Sequence, residues 1–179
     1  MADLAEKLSP LHELAMPRSG SDKIVLSERL CDSLVQVQAW PDTVEEVEKR
    51  IRATRGKLTI MASGPGRWLV EDDKEGLENK LRRKIGVKLG AITGLTHGRV
   101  VVSVSGEKAT WLLASGIAID FDLLAFPVGT TQASHHHEIG LTIHRTGQAS
   151  FDLYVFTSLV RSFWHWLEKA SGEVGYSVI

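Results

Sequence analysis

The chain has 179 residues, 43% hydrophobic and 24% charged, with a formal net charge of −1. That length buries a core without disulfide or metal staples, and the near-neutral charge excludes the basic excess that nucleic acid or an anionic membrane surface requires. The single cysteine, Cys31, cannot close an intramolecular disulfide, no apolar run reaches membrane-spanning length, and charges in every turn of residues 1–15 exclude a signal-peptide core. A soluble, cytoplasmic protein is expected.

Residues 1–22 read as an appended arm. Leu4, Leu8, Leu11 and Leu14 have helical spacing, Pro10 interrupts it, and residues 17–21 read as a flexible link. Too short to bury its leucines alone, the arm is expected to dock on a body or a partner. The remainder, 23–179, is expected to be one unit of two pseudo-repeated halves, about 23–90 and 91–179.

Residues 24–40 read as one extended segment, with Leu34, Gln36 and Gln38 alternating against Val35, Val37 and Ala39. Pro41-Asp42-Thr43 opens a helix in which Thr43 and Glu46 have capping-box spacing and Val44, Val47 and Ile51 form the buried stripe. Glu45/Lys49, Glu46/Arg50 and Glu48/Arg52 are favourable pairs on its wet face, and Gly56 ends it. A strand at 58–62, a turn at Ser63-Gly64-Pro65-Gly66, a return strand at 68–70 and a helix over 74–85 complete a β-α-β-β-α order.

The order then recurs. Residues 99–105 are a strand, 107–115 a short helix closed by Gly116, and 117–136 a long irregular connection. Residues 138–145 alternate as a strand, Thr146-Gly147-Gln148 turns the chain, and Phe151–Phe156 alternates again. Thr157-Ser158 offers hydroxyls for a cap, and the period changes to a helix with Leu159, Phe163, Trp166, Leu167 and Ala170 on one arc. Six of the chain's aromatic residues fall between Phe151 and Trp166, so this strand–helix pair should dominate the packing. Trp164 falls outside the apolar arc beside Arg161 and His165. These three are expected to form a partner-facing flank, with Trp166 in the core. The fold expected is α+β, two ferredoxin-like β-α-β-β-α halves, each a sheet with helices on one face.

Candidate chemistry is sparse. Adjacent residues on an extended chain point to opposite faces, so His135, His136 and His137 cannot all reach one ion, and a solvated or interface segment is the better reading. Ser63-Gly64-Pro65-Gly66 lacks the Gly-Lys-Ser/Thr of a P-loop and precedes a strand, which makes it a hairpin turn. Cys31 reads as a small buried hydrophobe. Asp72-Asp73 and Asp120/Asp122 read as turn residues serving local hydrogen bonds. Lys80, Arg82, Arg83, Lys84 and Lys88 read as a solvated helix face that could also meet an acidic partner. No nucleophile–base set or paired-acid arrangement is legible, and no catalytic, cofactor or metal residue is expected in the chain.

Several stretches together resemble a known family. Gly64-Pro65-Gly66-Arg67-Trp68-Leu69-Val70, Ser105-Gly106 with Leu112-Leu113-Ala114 and Gly116, Ile119-Asp120, Phe151-Asp152-Leu153-Tyr154-Val155 with Ser158, and Phe163-Trp164-His165-Trp166-Leu167 are similar to the gamma subunit of heterotetrameric sarcosine oxidase. Leu34-Val35-Gln36-Val37 fits as well, and the resemblance spans residues 24–176. It implies a fold like the front portion of the folate-dependent aminomethyltransferases of glycine cleavage. It also implies a non-catalytic subunit beside alpha, beta and delta subunits, alpha most directly. The holoenzyme's FAD, FMN, NAD, tetrahydrofolate and zinc would then reside in other subunits, and its reaction would be oxidative demethylation of sarcosine to glycine. Related N-methylglutamate dehydrogenases use a similar small subunit. A free-standing folate or one-carbon binder is the competing class.

Overall fold

Alternation in the sequence becomes strand, and amphipathic spacing becomes helix, across a computed structural model that describes residues 9–179. In chain order the elements are β1 (Val25–Arg29), β2 (Ser33–Ala39), α1 (Val44–Arg52), β3 (Thr59–Gly64), β4 (Arg67–Asp72), α2 (Leu77–Ile85) and β5 (Gly90–Gly94). There follow β6 (Arg99–Ser105), α3 (Ala109–Ala114), β7 (Thr131–His136), β8 (Ile139–Gly147), β9 (Ser150–Phe156), α4 (Val160–Ser171) and β10 (Ser177–Val178). They form a four-stranded sheet ordered β3-β4-β2-β5 and a six-stranded sheet ordered β10-β1-β6-β9-β8-β7.

Both faces of each sheet are used, and the period-two alternation assigns them. Val35, Val37 and Ala39 of β2 and Trp68 and Val70 of β4 are buried in one cluster with Val47 and Ile51 of α1 and Leu77 and Leu81 of α2. Val102 and Val104 of β6 and Phe151, Leu153 and Val155 of β9 join Leu112 and Leu113 of α3 and Phe163, Trp164 and Leu167 of α4. The opposite faces meet each other: Leu34, Met61 and Leu69 from the first sheet pack on Val101 and Tyr154 from the second. The layers therefore run helices, sheet, sheet, helices.

The two halves share a hairpin to the residue. β3 and β4 are joined by Pro65-Gly66 with a bulge between Ala62 and Gly64; β8 and β9 are joined by Gln148-Ala149 with a bulge between Arg145 and Gly147. Trp68 opposite Ala62 thus corresponds to Phe151 opposite Arg145. Gly66 sits at φ +60°, a conformation the Pro-Gly turn needs and L side chains avoid.

Several expectations are corrected. Residues 24–40 are not one strand. β1 pairs with β6 in the six-stranded sheet, and β2 pairs with β4 and β5 in the other. The second half thereby takes the strand beside β6 from the beginning of the chain, while the strand beside β2 in the first half, β5, comes from residues assigned to no element. Residues 131–136 are strand β7, not irregular connection. Neither expected cap forms: the Thr43 hydroxyl donates to the Trp40 carbonyl at 2.9 Å, and that of Thr157 to the His97 carbonyl at 2.9 Å. The Glu46–Arg50 and Glu48–Arg52 pairs are formed as expected.

The irregular stretch before β7 has an unexpected organiser. Arg145 is buried, and its guanidinium donates to the carbonyls of Phe121 and Phe126, each at 2.8 Å, and to those of Gly147 and Gln148. A buried cation is tolerated because carbonyl dipoles surround it.

The largest correction concerns α4. Its buried stripe is Val160, Phe163, Trp164, Leu167 and Ser171, and Trp164 is 0% exposed whereas Trp166 is only partly buried. Part of the flank expected to face a partner is covered by the chain's own arm. Leu11 is fully buried in the same cluster as Trp164, Arg161 reaches the Pro10 carbonyl, and Arg18 pairs with Glu168. Leu4 and Leu8 of the expected arm helix lie outside the described residues. Trp166 stacks on His136, ring centroids 4.0 Å apart, over Gly116, where a Cβ would lie 2.4 Å from the indole.

Replacing Trp164 by Ala is therefore expected to cost about 3–5 kcal/mol through the cavity it leaves. Trp166→Ala should cost less, because part of that ring already meets solvent. Urea melts of both variants check the order; equal losses would contradict it.

Candidate functional site

Where β1 hands the chain to β2, the seam between the sheets changes from apolar to charged. Arg29, the last residue of β1, sits in the six-stranded sheet and reaches Glu71 of β4 in the other. It donates from Nη2 to Glu71 Oε2 at 2.9 Å and to Tyr154 Oη at 3.1 Å, and from Nε to Asp152 Oδ2 at 2.9 Å; its Nη1 also pairs with Glu71 Oε1. Tyr154 Oη donates to Glu71 Oε2 at 2.6 Å, and Ser103 Oγ to Asp152 Oδ1 at 2.5 Å. Two carboxylates, one guanidinium and two hydroxyls close the group.

The electrostatics follow from this geometry. Burial works to raise the Glu71 carboxyl, but hydrogen bonds from Arg29 and Tyr154 and the charge of Arg29 outweigh it and hold Glu71 below its ordinary value. The hydrogen bond to Glu71 raises Arg29 against the effect of burial. Burial, reinforced by Glu71, drives the Tyr154 phenol upward and pushes the Cys31 thiol up to about 12. Burial also lowers His144 on the neighbouring strand, against the pull of Asp152 and Glu71. Tyr154 and Cys31 thus stay protonated at neutral pH. A thiol in that state is a poor nucleophile.

Two cavities adjoin the seam. One of about 360 Å3 lies beside Arg29, Cys31 and His97; one of about 220 Å3 lies between β3, β4 and the β7–β8 hairpin, and Arg99 lines both.

The residues singled out from the sequence are scattered. Arg161 and His165 are exposed on α4, but Trp164 lies beneath them in the core and cannot anchor a partner. His136 is buried with Nδ1 2.9 Å from the Gly116 carbonyl oxygen, while His135 and His137 are exposed on either side of it. Among the described residues, no group of three or more His, Cys, Asp or Glu could hold a metal ion. Asp72 is not a turn residue; it ends β4, buried, with Oδ2 3.2 Å from Lys80 Nζ. Asp120 and Asp122 do serve local hydrogen bonds, accepting from the amides of Asp122 and Leu124. Arg82 pairs with Glu78, Arg83 reaches the Asn79 carbonyl and Lys84 the Ala53 carbonyl, so much of the basic run is engaged within its own half.

Arg29, Glu71 and Asp152 were missed by sequence reasoning, although one signal was there. Asp152 and Tyr154 alternate against the apolar face of β9, as Glu71 does against Val70, and a second sheet was needed to turn that polar face inward.

Comparison with known proteins now adds what geometry cannot. The family model described as "Sarcosine oxidase, gamma subunit family" matches residues 47–173. The chain belongs to the sarcosine oxidase gamma subunit family. Among solved structures it is similar to heterotetrameric sarcosine oxidase from Corynebacterium sp. U-96 in complex with pyrrole 2-carboxylate, with 20% identity over 93% of this chain and 95% of that one and a TM-score of 0.79. It is also similar to the glycine cleavage system aminomethyltransferase T of Bartonella henselae, with 15% identity over 81% of this chain, 45% of that one and a TM-score of 0.60. The expected α+β architecture, like part of an aminomethyltransferase, is what the structure shows. No curated protein matches the sequence.

The seam does not fit the pterin that the resemblance to folate-dependent enzymes brings with it. A pterin's amino groups need a carboxylate free to accept, and both seam carboxylates are engaged by Arg29, Tyr154 and Ser103. The glycine turn at Gly64-Pro65-Gly66 joins two strands, with no helix N-terminus behind it to receive a phosphate.

Arg29 should be needed for stability. Arg29→Met is expected to cost about 2–4 kcal/mol, under the full price of breaking a buried pair because a third of the side chain meets solvent. Glu71, with its folded pKa depressed, contributes stability that is present above the unfolded value of about 4.3 and lost as pH falls through the folded value. Denaturant midpoints measured from neutral pH downward should fall on acidification in the native chain and fall less in Glu71→Gln.

Proposed function

We propose that this chain is the non-catalytic gamma subunit of a cytoplasmic, heterotetrameric sarcosine oxidase-type flavoenzyme that oxidatively demethylates sarcosine to glycine. The family match over residues 47–173 carries the reading. The likeness to a heterotetrameric sarcosine oxidase along nearly the whole length of both chains supports partner subunits. In this reading the partners are alpha, beta and delta subunits, with alpha the most direct contact. FAD, FMN, NAD, tetrahydrofolate and zinc belong to those partners. The gamma chain contributes surface and rigidity. The engaged seam carboxylates and the high Cys31 pKa agree with a chain that carries out no chemistry itself. Among the described residues no helix is long and apolar enough to cross a membrane.

A second reading is favoured by the likeness to aminomethyltransferase T: a free-standing folate or one-carbon binder. The engagement of Glu71 and Asp152 weighs against it, since releasing either carboxylate for a pterin would leave Arg29 undercompensated. The equivalent subunit of an N-methyl amino acid dehydrogenase would differ from the first reading only in the amine oxidised by its partners.

Purification of the untagged chain from its native host separates these readings. Large flavin-containing partners should accompany it, and the chain expressed alone should show neither flavin absorbance nor sarcosine turnover. Recovery as a lone monomer that binds tetrahydrofolate would overturn the subunit assignment.

A further inference from the structure

The 220 Å3 cleft between the first hairpin and the β7–β8 hairpin has an unusual charge pattern for a chain of net charge −1. Arg67 and Arg99 both line it, and none of its lining residues is acidic. Arg67 donates from Nε to the side-chain oxygen of Gln38 at 2.7 Å. Arg99 lies over the ring of Phe156, its guanidinium carbon 3.2 Å from the ring centre, with a weak 3.4 Å contact from Nη1 to the Gly98 carbonyl. Among the described residues neither arginine has a carboxylate within ion-pair distance, whereas Arg29 has two. Burial lowers the pKa of Arg99 with no acid to oppose it. The ring of Phe156 stabilises the guanidinium, and the guanidinium donors, without a carboxylate partner, remain free to bind an anion.

A second observation points the same way. The bulge in β3 falls at Ser63, which lines the cleft, and its hydroxyl is buried with no hydrogen-bond partner among the described residues. Bulges re-aim side chains, and a buried hydroxyl without a partner calls for one. Ser134 and Thr142 add hydroxyls from the facing hairpin, while Leu69, Leu141 and Phe156 supply apolar wall. Donors at one side and hydrocarbon at the other suit an organic anion better than an inorganic one. At about 220 Å3 the cleft is smaller than the ~300–1,000 Å3 of drug-sized pockets.

We infer that this cleft binds a small organic acid, its carboxylate held by Arg99, Arg67 and Ser63 and its carbon chain against Phe156 and Leu141. This goes beyond the subunit reading and does not depend on it, because the cleft is complete within the one chain.

Calorimetric titration of the full chain with butyrate tests it, with inorganic phosphate at matched ionic strength as the comparison. Saturable binding of one butyrate per chain is expected, tighter than phosphate. Loss of one charge-assisted contact in Arg99→Gln or Arg67→Gln should weaken it about tenfold or more. Arg67 is exposed and its replacement should leave the thermal melt unchanged, so that variant decides the matter if Arg99→Gln fails to fold. Absence of saturable butyrate binding, phosphate bound as tightly, or an Arg67→Gln variant with undiminished affinity would each overturn the inference.

Discussion

One guanidinium holds the two sheets of this protein in register. Arg29 lies at the end of the strand that the six-stranded sheet takes from the beginning of the chain, a few residues before the chain enters the other sheet. From there it binds Glu71 across the seam and Asp152 within its own sheet. Two carboxylates buried between sheets would otherwise repel each other and lose their hydration without return. With Arg29 present, Tyr154 and Ser103 complete their hydrogen bonding, and the neighbouring apolar group of Leu34, Met61, Leu69 and Val101 can close against water. The crossover from β1 to β2, the charged end of the seam and the sheet-on-sheet contact therefore stand together.

The architecture is a duplication with an unequal division of the chain. Each half has a central strand with an aromatic residue at its second position, Trp68 or Phe151, set by the same bulged hairpin, and each places a further strand next to its first. In the first half that strand is β5, which follows α2; in the second it is β1, from before the first half. The exchange entwines the halves, and the arm with Leu11 seals the second one from outside.

The same organisation explains where function-bearing surface can lie. The largest fully buried side chain of α4, Trp164, lies in the core with Leu11 of the arm, while Arg161 and His165 stay exposed above it. The polar faces of the central strands, unremarkable as sequence, become the seam. Arg29 is fully compensated there and Arg99 is not, although both sit at strand ends of the six-stranded sheet facing the four-stranded one. That difference separates a guanidinium that holds the fold from one that faces a cavity.

By itself the sequence determined the local layer of this protein. Alternation in β2, β4 and β9, the i,i+4 ion pairs of α1, the Pro65-Gly66 turn and the duplicated order of elements all depend on near neighbours, and the motif series pointed to the gamma family. Tertiary structure alone decided the rest. Which sheet receives Val25–Arg29 depends on pairing with residues far along the chain, and no local period records that. The Thr43 and Thr157 hydroxyls donate to distant backbone carbonyls, at Leu89 and His97, contacts that no local pattern records. Trp164 entered the core because a helix's buried arc is set by everything packed on it, and the arm covers a flank that a single helix projection leaves open. Arg29, Glu71 and Asp152 became one group only when two sheets met, since Coulomb attraction acts over ångströms of space and takes no account of separation along the chain.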